Sequence, residues 1–213
     1  MEIFWLGHAA FKIKTSSGKI IYLDPYQIKK GAEKADIVVS THSHGDHFDS
    51  GSIQKIKNDD TVVIGPESIA SSLQKFDGKP LKLGEFYDYK DISIELVPAY
   101  NIKKPNHPKR NEWAGIIVTS EGKSVYHAGD TERIPEMKDL ASRNITVAMM
   151  PCGGTYTMDF DEATDSIVDV KPEIAIPMHN WGKDLNKFKE LLDKKDPSIR
   201  VEILEENGKP LNI

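Results

Sequence analysis

The run Thr41-His42-Ser43-His44-Gly45-Asp46-His47 constrains this chain more than any other stretch. Four side chains able to bind a metal fall within six residues, and three of the seven histidines are here. Just before it, Ile37-Val38-Val39-Ser40 is short and β-branched, the pattern of a buried strand. If the chain stays extended to His44, then His42 and His44 point to one side, because strand side chains alternate with period two. Gly45 lets the backbone turn without a Cβ clash. Asp46 and His47 then come round from the far side of the turn. One segment can thereby serve two adjacent metals, the histidine pair on one and the Asp-His pair on the other. Nitrogen and carboxylate donors without thiolates suit Zn²⁺, and also Mn²⁺ or Fe²⁺. The bland alternative is a histidine-rich surface turn that binds metal adventitiously. The strand-to-turn setting and the distant partners described below argue against it.

The rest of the chain alternates in the same manner. Residues 2–6, 10–14 and 19–23 have the pattern of a three-stranded meander, closed by Leu23-Asp24-Pro25. A short helix is expected over 50–57, a strand over 61–64, and a helical turn from Pro66 with Ile69 and Leu73 inward. Residues 81–83, 85–89 and 92–97 are strand candidates, and 100–112 is irregular. Strands over 113–119 and 123–127 follow, then a short helix over 133–141 and a strand over 145–150. Asp159 and Glu162 form a capping-box pattern ahead of Ala163, Ile167 and Val170. A strand over 173–176, a helix through Leu185, Phe188 and Leu192, and a strand over 201–204 complete the reading. No linker and no low-complexity stretch interrupts it.

His-x-His-x-Asp-His after a buried strand resembles the signature of the metallo-β-lactamase superfamily of hydrolases, in particular its lactonase-like and poorly characterised cytosolic branch. That resemblance implies an α/β (α+β) fold, a four-layer αββα sandwich with metals at one edge. It also implies one domain over 1–213 built of two similar halves, expected to meet near residue 100. Tyr126-His127-Ala128-Gly129-Asp130-Thr131 matches the element in which an Asp bridges two metals, so Asp130 is expected there. Pro177-Met178-His179-Asn180 resembles the last histidine ligand, His179. The third nitrogen of the first metal is the soft point. In some relatives it follows an Ala-aromatic pair, here Ala99-Tyr100, and that position holds Asn101. Either the loop folds back to bring in His107, the reading we favour, or that metal lacks its third nitrogen. The implied set is His42, His44 and His107 on one ion, Asp46, His47 and His179 on the other, and Asp130 between.

Other residues have secondary roles. Gly-His-Ala and Leu-Asp-Pro resemble elements of the same branch, which makes His8 and Asp24 candidates. Asp24 is expected to fix the tautomer of a ligand histidine; for His8, substrate contact and simple burial stay open. His127 reads as a packed, hydrogen-bonded histidine. Cys152 has no evident basic partner and reads as a small buried residue. Tyr156, in the same loop, is a candidate to face the cleft.

The chemistry implied is hydrolysis. Two divalent ions sharing a water make a hydroxide near neutral pH, which attacks an ester, lactone or phosphodiester while Asp46 orients it and carries a proton. Such a site is net positive, and Lys103, Lys104, Lys109 and Arg110 flank His107, so a small anionic substrate is expected. A nuclease or phosphodiesterase on small substrates, or a regulatory metal-binding module without turnover, are the competing functions. Flavodiiron oxidoreductases carry Glu where His44 stands. Glyoxalase II-like enzymes add a helical domain for which little chain follows Leu204, and the processing ribonucleases are longer.

Composition adds limits. With a net charge of −5, bulk nucleic-acid binding is disfavoured. No apolar run reaches the ~20 residues of a membrane span. A single cysteine and an N-terminus without signal-peptide character suit a reducing cytoplasm, not a secreted antibiotic-degrading enzyme. Homo-oligomerisation is left open.

Overall fold

The computed structural model covers residues 1–213 and folds them into two seven-stranded sheets with helices outside. The first sheet holds β1 (Glu2–Gly7), β2 (Ala10–Lys14), β3 (Ile20–Leu23), β4 (Ile37–Val39), β5 (Val62–Pro66) and β6 (Lys79–Leu81). The second holds β7 (Phe86–Tyr89), β8 (Ile92–Pro98), β9 (Ala114–Ser120), β10 (Lys123–His127), β11 (Val147–Pro151), β12 (Ile174–Met178) and β13 (Arg200–Val201). β14 (Leu211–Asn212) returns to the first sheet beside β1. Both sheets follow one plan. An antiparallel meander (β1-β2-β3, then β7-β8-β9-β10) leads into parallel strands (β3-β4-β5-β6, then β10-β11-β12-β13).

Period-two alternation explains the layering. Ile21, Ile37 and Val39 point to the central core, where they meet Ile94, Ile116, Val147 and Ile176 of the other sheet. Their neighbours Tyr22 and Val38 face outward, under Ile53 and Ile56 of α1 (Ser50–Ile56) and Leu73 of α2 (Ala70–Leu73). On the far side, Ala148, Met150 and Ala175 sit beneath Ile167 of α3 (Phe160–Val170) and Phe188 of α4 (Leu185–Lys195). The result is the four-layer αββα sandwich. No helix is long and apolar enough to cross a membrane.

Several boundaries differ from the sequence expectation. The chain crosses between sheets at residues 82–85, ahead of the junction expected near residue 100. The strand expected at 81–83 lies at Lys79–Leu81, because Lys82 already begins a turn closed by Glu85 N–H on the Lys82 carbonyl. The segment expected as a helix over 133–141 is a 3₁₀ coil, Pro135–Ser142. Only half of the capping box forms. Asp159 accepts the Glu162 N–H at 2.9 Å, but the Glu162 carboxylate accepts from Arg133 N–H at 3.1 Å instead. The last expected strand, 201–204, shrinks to Arg200–Val201, while β14 was not foreseen. Two residues carry too little pattern to be read as a strand; β14 exists because Leu211 finds Ile3 across the sheet.

Candidate metal centre

β1, β3 and β4 run parallel to one another, and so do β8, β10 and β12, so their carboxyl ends gather at one edge of each sheet. That edge carries His8 after β1, Asp24 after β3 and His42 after β4. Opposite them stand the 101–107 loop after β8, Asp130 after β10 and His179 after β12. Backbone hydrogen bonds stitch the sheets together there: Ala114 N–H to the Thr41 carbonyl at 3.1 Å and His179 N–H to the His8 carbonyl at 3.1 Å. Gly129 (φ +66°) closes against the same turn; a Cβ on it would lie 2.8 Å from the Ala114 carbonyl oxygen. His8, Asp24, His107 and His179 all have positive φ. Non-glycine residues seldom adopt that conformation, and it concentrates where a site demands it.

On the first-sheet side, buried Asp24 organises the turn. Its Oδ1 accepts the Thr41 N–H at 2.7 Å, and its Oδ2 accepts the Thr41 hydroxyl at 2.7 Å and His47 Nδ1–H at 2.6 Å. With its own proton committed to Asp24, the Thr41 hydroxyl accepts from His42 Nδ1, 2.9 Å away. Both histidines thus keep their protons on Nδ1 and turn an Nε2 lone pair inward. His42 Nε2 faces His44 Nδ1 at 3.0 Å, and the Trp113 ring backs His42, His44 and His107. Asp46 Oδ2 lies 3.0 Å from His8 Nε2, and that hydrogen bond brings the Asp46 pKa down to about 2. His8 is partly buried, its ring centroid 3.8 Å from that of His179 with the planes tilted by 41°.

On the second-sheet side, the loop after β8 does fold back. Asn101 N–H bonds the His107 carbonyl at 2.7 Å, and buried Glu132 gathers the N–H groups of Ile102 and Lys103 at 2.7 and 2.6 Å. His107 is thereby buried within the site, with Nε2 3.2 Å from Asp130 Oδ2. The Asn101 amide donates to the Tyr156 carbonyl at 2.7 Å, a supporting position and not an inward one. Asp130 Oδ1 faces the other way, 3.5 Å from His47 Nε2 and 3.4 Å from His179 Nε2.

The cluster fits a cation. His47 Nε2, His107 Nε2, His179 Nε2 and Asp130 Oδ1 are buried without any hydrogen-bond partner, although they converge. Buried polar atoms are rarely left this way, and facing lone pairs repel unless a positive charge lies between them. Charge behaviour agrees. Burial opposes a charged His47, yet Asp130 and Asp24 outweigh it and hold its pKa up at about 9. Burial takes His179 down to about 4. The carboxylates demand positive charge, and without an ion only a histidine proton supplies it. Three overlapping donor groups result: His42, His44 and His107; His8, Asp46, His47 and His179; and His42, His47 and Asp130. They open into a cavity of about 290 Å³ whose outer wall includes Asn106, Tyr156 and Trp181.

The remaining sequence candidates fall elsewhere. His127 is buried and structural, its Nε2 on the Ala9 carbonyl at 2.8 Å and its Nδ1 accepting from Gly129 N–H at 3.1 Å. Cys152 is buried, and burial pushes its thiol up to about 12, so it is no nucleophile. None of Lys103, Lys104, Lys109 and Arg110 lines the cavity. Lys104 reaches the Thr157 carbonyl and Glu132, and Lys109 pairs with Glu136 at 3.1 Å. Two of the four charges are thus paired with carboxylates, and none of the four faces the cavity. Thr41, Trp113, Glu132 and Trp181 were missed from the sequence. Only Thr41, adjoining the motif, gave any signal there.

Known proteins resemble this chain over most of its length. A family model described as a beta-lactamase superfamily domain matches residues 2–179. A UPF0173 metal-dependent hydrolase of Geobacillus is 32% identical over 194 residues, covering 84% of this chain and 85% of that protein. One of Archaeoglobus fulgidus is 30% identical over 224 residues, covering 96% of each. A Parabacteroides distasonis protein, described as a candidate metal-dependent hydrolase, superposes with a TM-score of 0.85 at 36% identity, over 95% of this chain and 93% of that one. A metallo hydrolase of the archaeon Ignicoccus hospitalis gives 0.81 at 26% identity, over 99% and 97%. The chain belongs to the metallo-β-lactamase superfamily, within its UPF0173 metal-dependent hydrolases.

Proposed function

We propose that this chain is a dinuclear metal-dependent hydrolase of small esters, lactones or phosphodiesters. The observation that carries the reading is Asp130. Its two carboxylate oxygens face two different nitrogen sets, His107 on one side and His47 with His179 on the other. A carboxylate placed so, with two oxygens and one negative charge, could be shared between two cations. His42, His44 and His107 would hold one ion and Asp46, His47 and His179 the other. When bound, two divalent ions, Zn²⁺ foremost with Mn²⁺ or Fe²⁺ as alternatives, supply Lewis acidity and an acidified water.

The chain's own residues do the rest. Asp24 and Thr41 hold the Nδ1 protons of His47 and His42, keeping both Nε2 lone pairs aimed inward. His8 holds Oδ2 of Asp46 and so orients the carboxylate that would take a proton from the attacking water and return it to the leaving group. Asp46 is partly buried and lines the cavity, where it would meet both the ion and the incoming substrate.

Elemental analysis of purified protein beside His107→Ala is the test. Two metal equivalents in the parent and about one in the variant are expected. Equal metal in both would remove His107 from the site. An ester, lactone and phosphodiester screen with Zn²⁺ and Mn²⁺ should then show turnover that Asp46→Asn abolishes. Turnover that survives in Asp46→Asn would remove its proton-transfer role. Full metal with no turnover of any class would leave a binding module.

A further inference from the structure

The outer wall of the cavity is aromatic, and one of its residues stands against its own local preference. Trp181 and Gly182 have φ of +51° and +72°, and Lys183 N–H returns to the Asn180 carbonyl at 3.1 Å. Two central residues at positive φ, closed by that bond, make a type I′ turn, whose first central position favours Asn, Asp or Gly. Here it holds a tryptophan. The Asn180 side chain locks the turn through the Lys183 carbonyl at 2.9 Å. Behind the indole, Gly153 has no room for a side chain: a Cβ would lie 2.3 Å from Trp181 Cδ1 and 2.5 Å from the His179 carbonyl oxygen. Strain, a side-chain lock and a glycine are thus spent on holding one large apolar ring that stays 55% exposed.

That ring hangs over the metal-ligand cluster. Its centroid is 5.4 Å from His179 and 5.5 Å from His8. Tyr156, 44% exposed, stands edge-on to it at 6.1 Å, and its backbone is tied to Asn101. Exposed large apolar side chains are few in this protein, and two of the five sit together at this mouth. No lysine or arginine lines the cavity, so nothing in its protein wall selects a second anionic group.

We infer that Trp181 and Tyr156 form the specificity wall of the site. Its substrate is a small ester or lactone bearing an uncharged aromatic ring, which packs against the indole while its carbonyl reaches the cluster. This rests on the hydrolytic reading above and names the substrate class within it. Aromatic rings prefer offset or edge-to-face neighbours, and the Trp181–Tyr156 corner offers a face and an edge at once.

The experiment compares benzyl acetate with cyclohexylmethyl acetate, whose leaving alcohols have similar acidity, on the metal-loaded protein. The wild type should favour the benzyl ester in kcat/KM. Trp181→Ala should cut that preference roughly five- to tenfold, through KM. Trp181→Phe should largely restore it, and metal content should match in all three. A benzyl preference identical in wild type and Trp181→Ala overturns the inference while leaving the hydrolase standing. If neither ester is cleaved, the hydrolytic reading fails for esters, and calorimetric titration with 2-naphthol still decides the wall. Weaker binding in Trp181→Ala that returns in Trp181→Phe sustains it, and unchanged binding overturns it.

Discussion

The two sides of the metal centre are built by opposite strategies. The first sheet delivers His42, His44, Asp46 and His47 on one turn after β4, with contiguous residues setting their mutual placement. The second sheet delivers His107, Asp130 and His179 from three loops, each after a different strand. The supports differ as well. Asp24 braces the first side by fixing histidine protons. Glu132 braces the second by gathering backbone N–H groups of the loop that ends in His107. A compact turn can be ordered by one carboxylate and one hydroxyl, whereas a long loop needs its backbone captured.

Asp130 is the one carboxylate that faces both nitrogen sets, so Asp130→Asn should do the most damage. Metal content should fall at both positions, and hydrolysis should drop by more than the ~100-fold typical of losing a supporting partner alone. Loss of a single equivalent would show that the two ions do not share Asp130.

Asp24→Asn tests the first side alone. The amide cannot accept from Thr41 and His47 as the carboxylate does, so the Nε2 lone pairs lose their fixed orientation. Metal affinity should weaken by roughly 10–100-fold, read by competition with a chelator, while the fold persists. Glu132→Gln is its counterpart on the second side. Weakening the N–H bonds of Ile102 and Lys103 should cost about 1–3 kcal/mol and speed exchange of those amides. Metal loss should be confined to the equivalent that His107→Ala also removes. Because Asp24 also braces His47, Asp24→Asn should weaken the other equivalent too; loss of only the His107 equivalent in both variants would show that Asp24 does not position His47.

The smallest effect is one of pH. In the metal-free protein His47 titrates near 9, above its ordinary 6.5. A raised histidine pKa stabilises the fold fully below the unfolded value, and that gain is lost as pH rises through the folded one. The thermal midpoint of metal-free protein should therefore decline between about pH 6.5 and 9. Metal should flatten the decline by replacing the proton. A profile equally steep with bound metal would show that the ion does not contact His47.

The same division explains what could be read from the residues. The turn at 41–47 was legible because strand alternation and one glycine act over a few residues. The helices at 50–56, 160–170 and 185–195 were legible because their apolar faces repeat at helical spacing. His107 was ambiguous because a loop's return path depends on Glu132, which lies far along the chain and looks ordinary in sequence. Two of the basic residues around it, Lys104 and Lys109, pair with Glu132 and Glu136, and those partners lie too far along the chain to be read locally. Trp181 was invisible for the opposite reason: its turn breaks the local rule that would have announced it.

By itself, then, the sequence determined that a strand would end in a turn of four metal-capable side chains, that apolar alternation would build layered sheets, and which distant histidine and aspartate residues were available. These follow from short-range geometry, written in adjacent residues. Tertiary structure alone decided that the carboxyl ends of β8, β10 and β12 lie against those of β1, β3 and β4, that Asp130 turns one oxygen to each side, and that an indole covers the cavity. Those relations depend on strand pairing and sheet closure between residues far apart in the chain, and no local pattern records them.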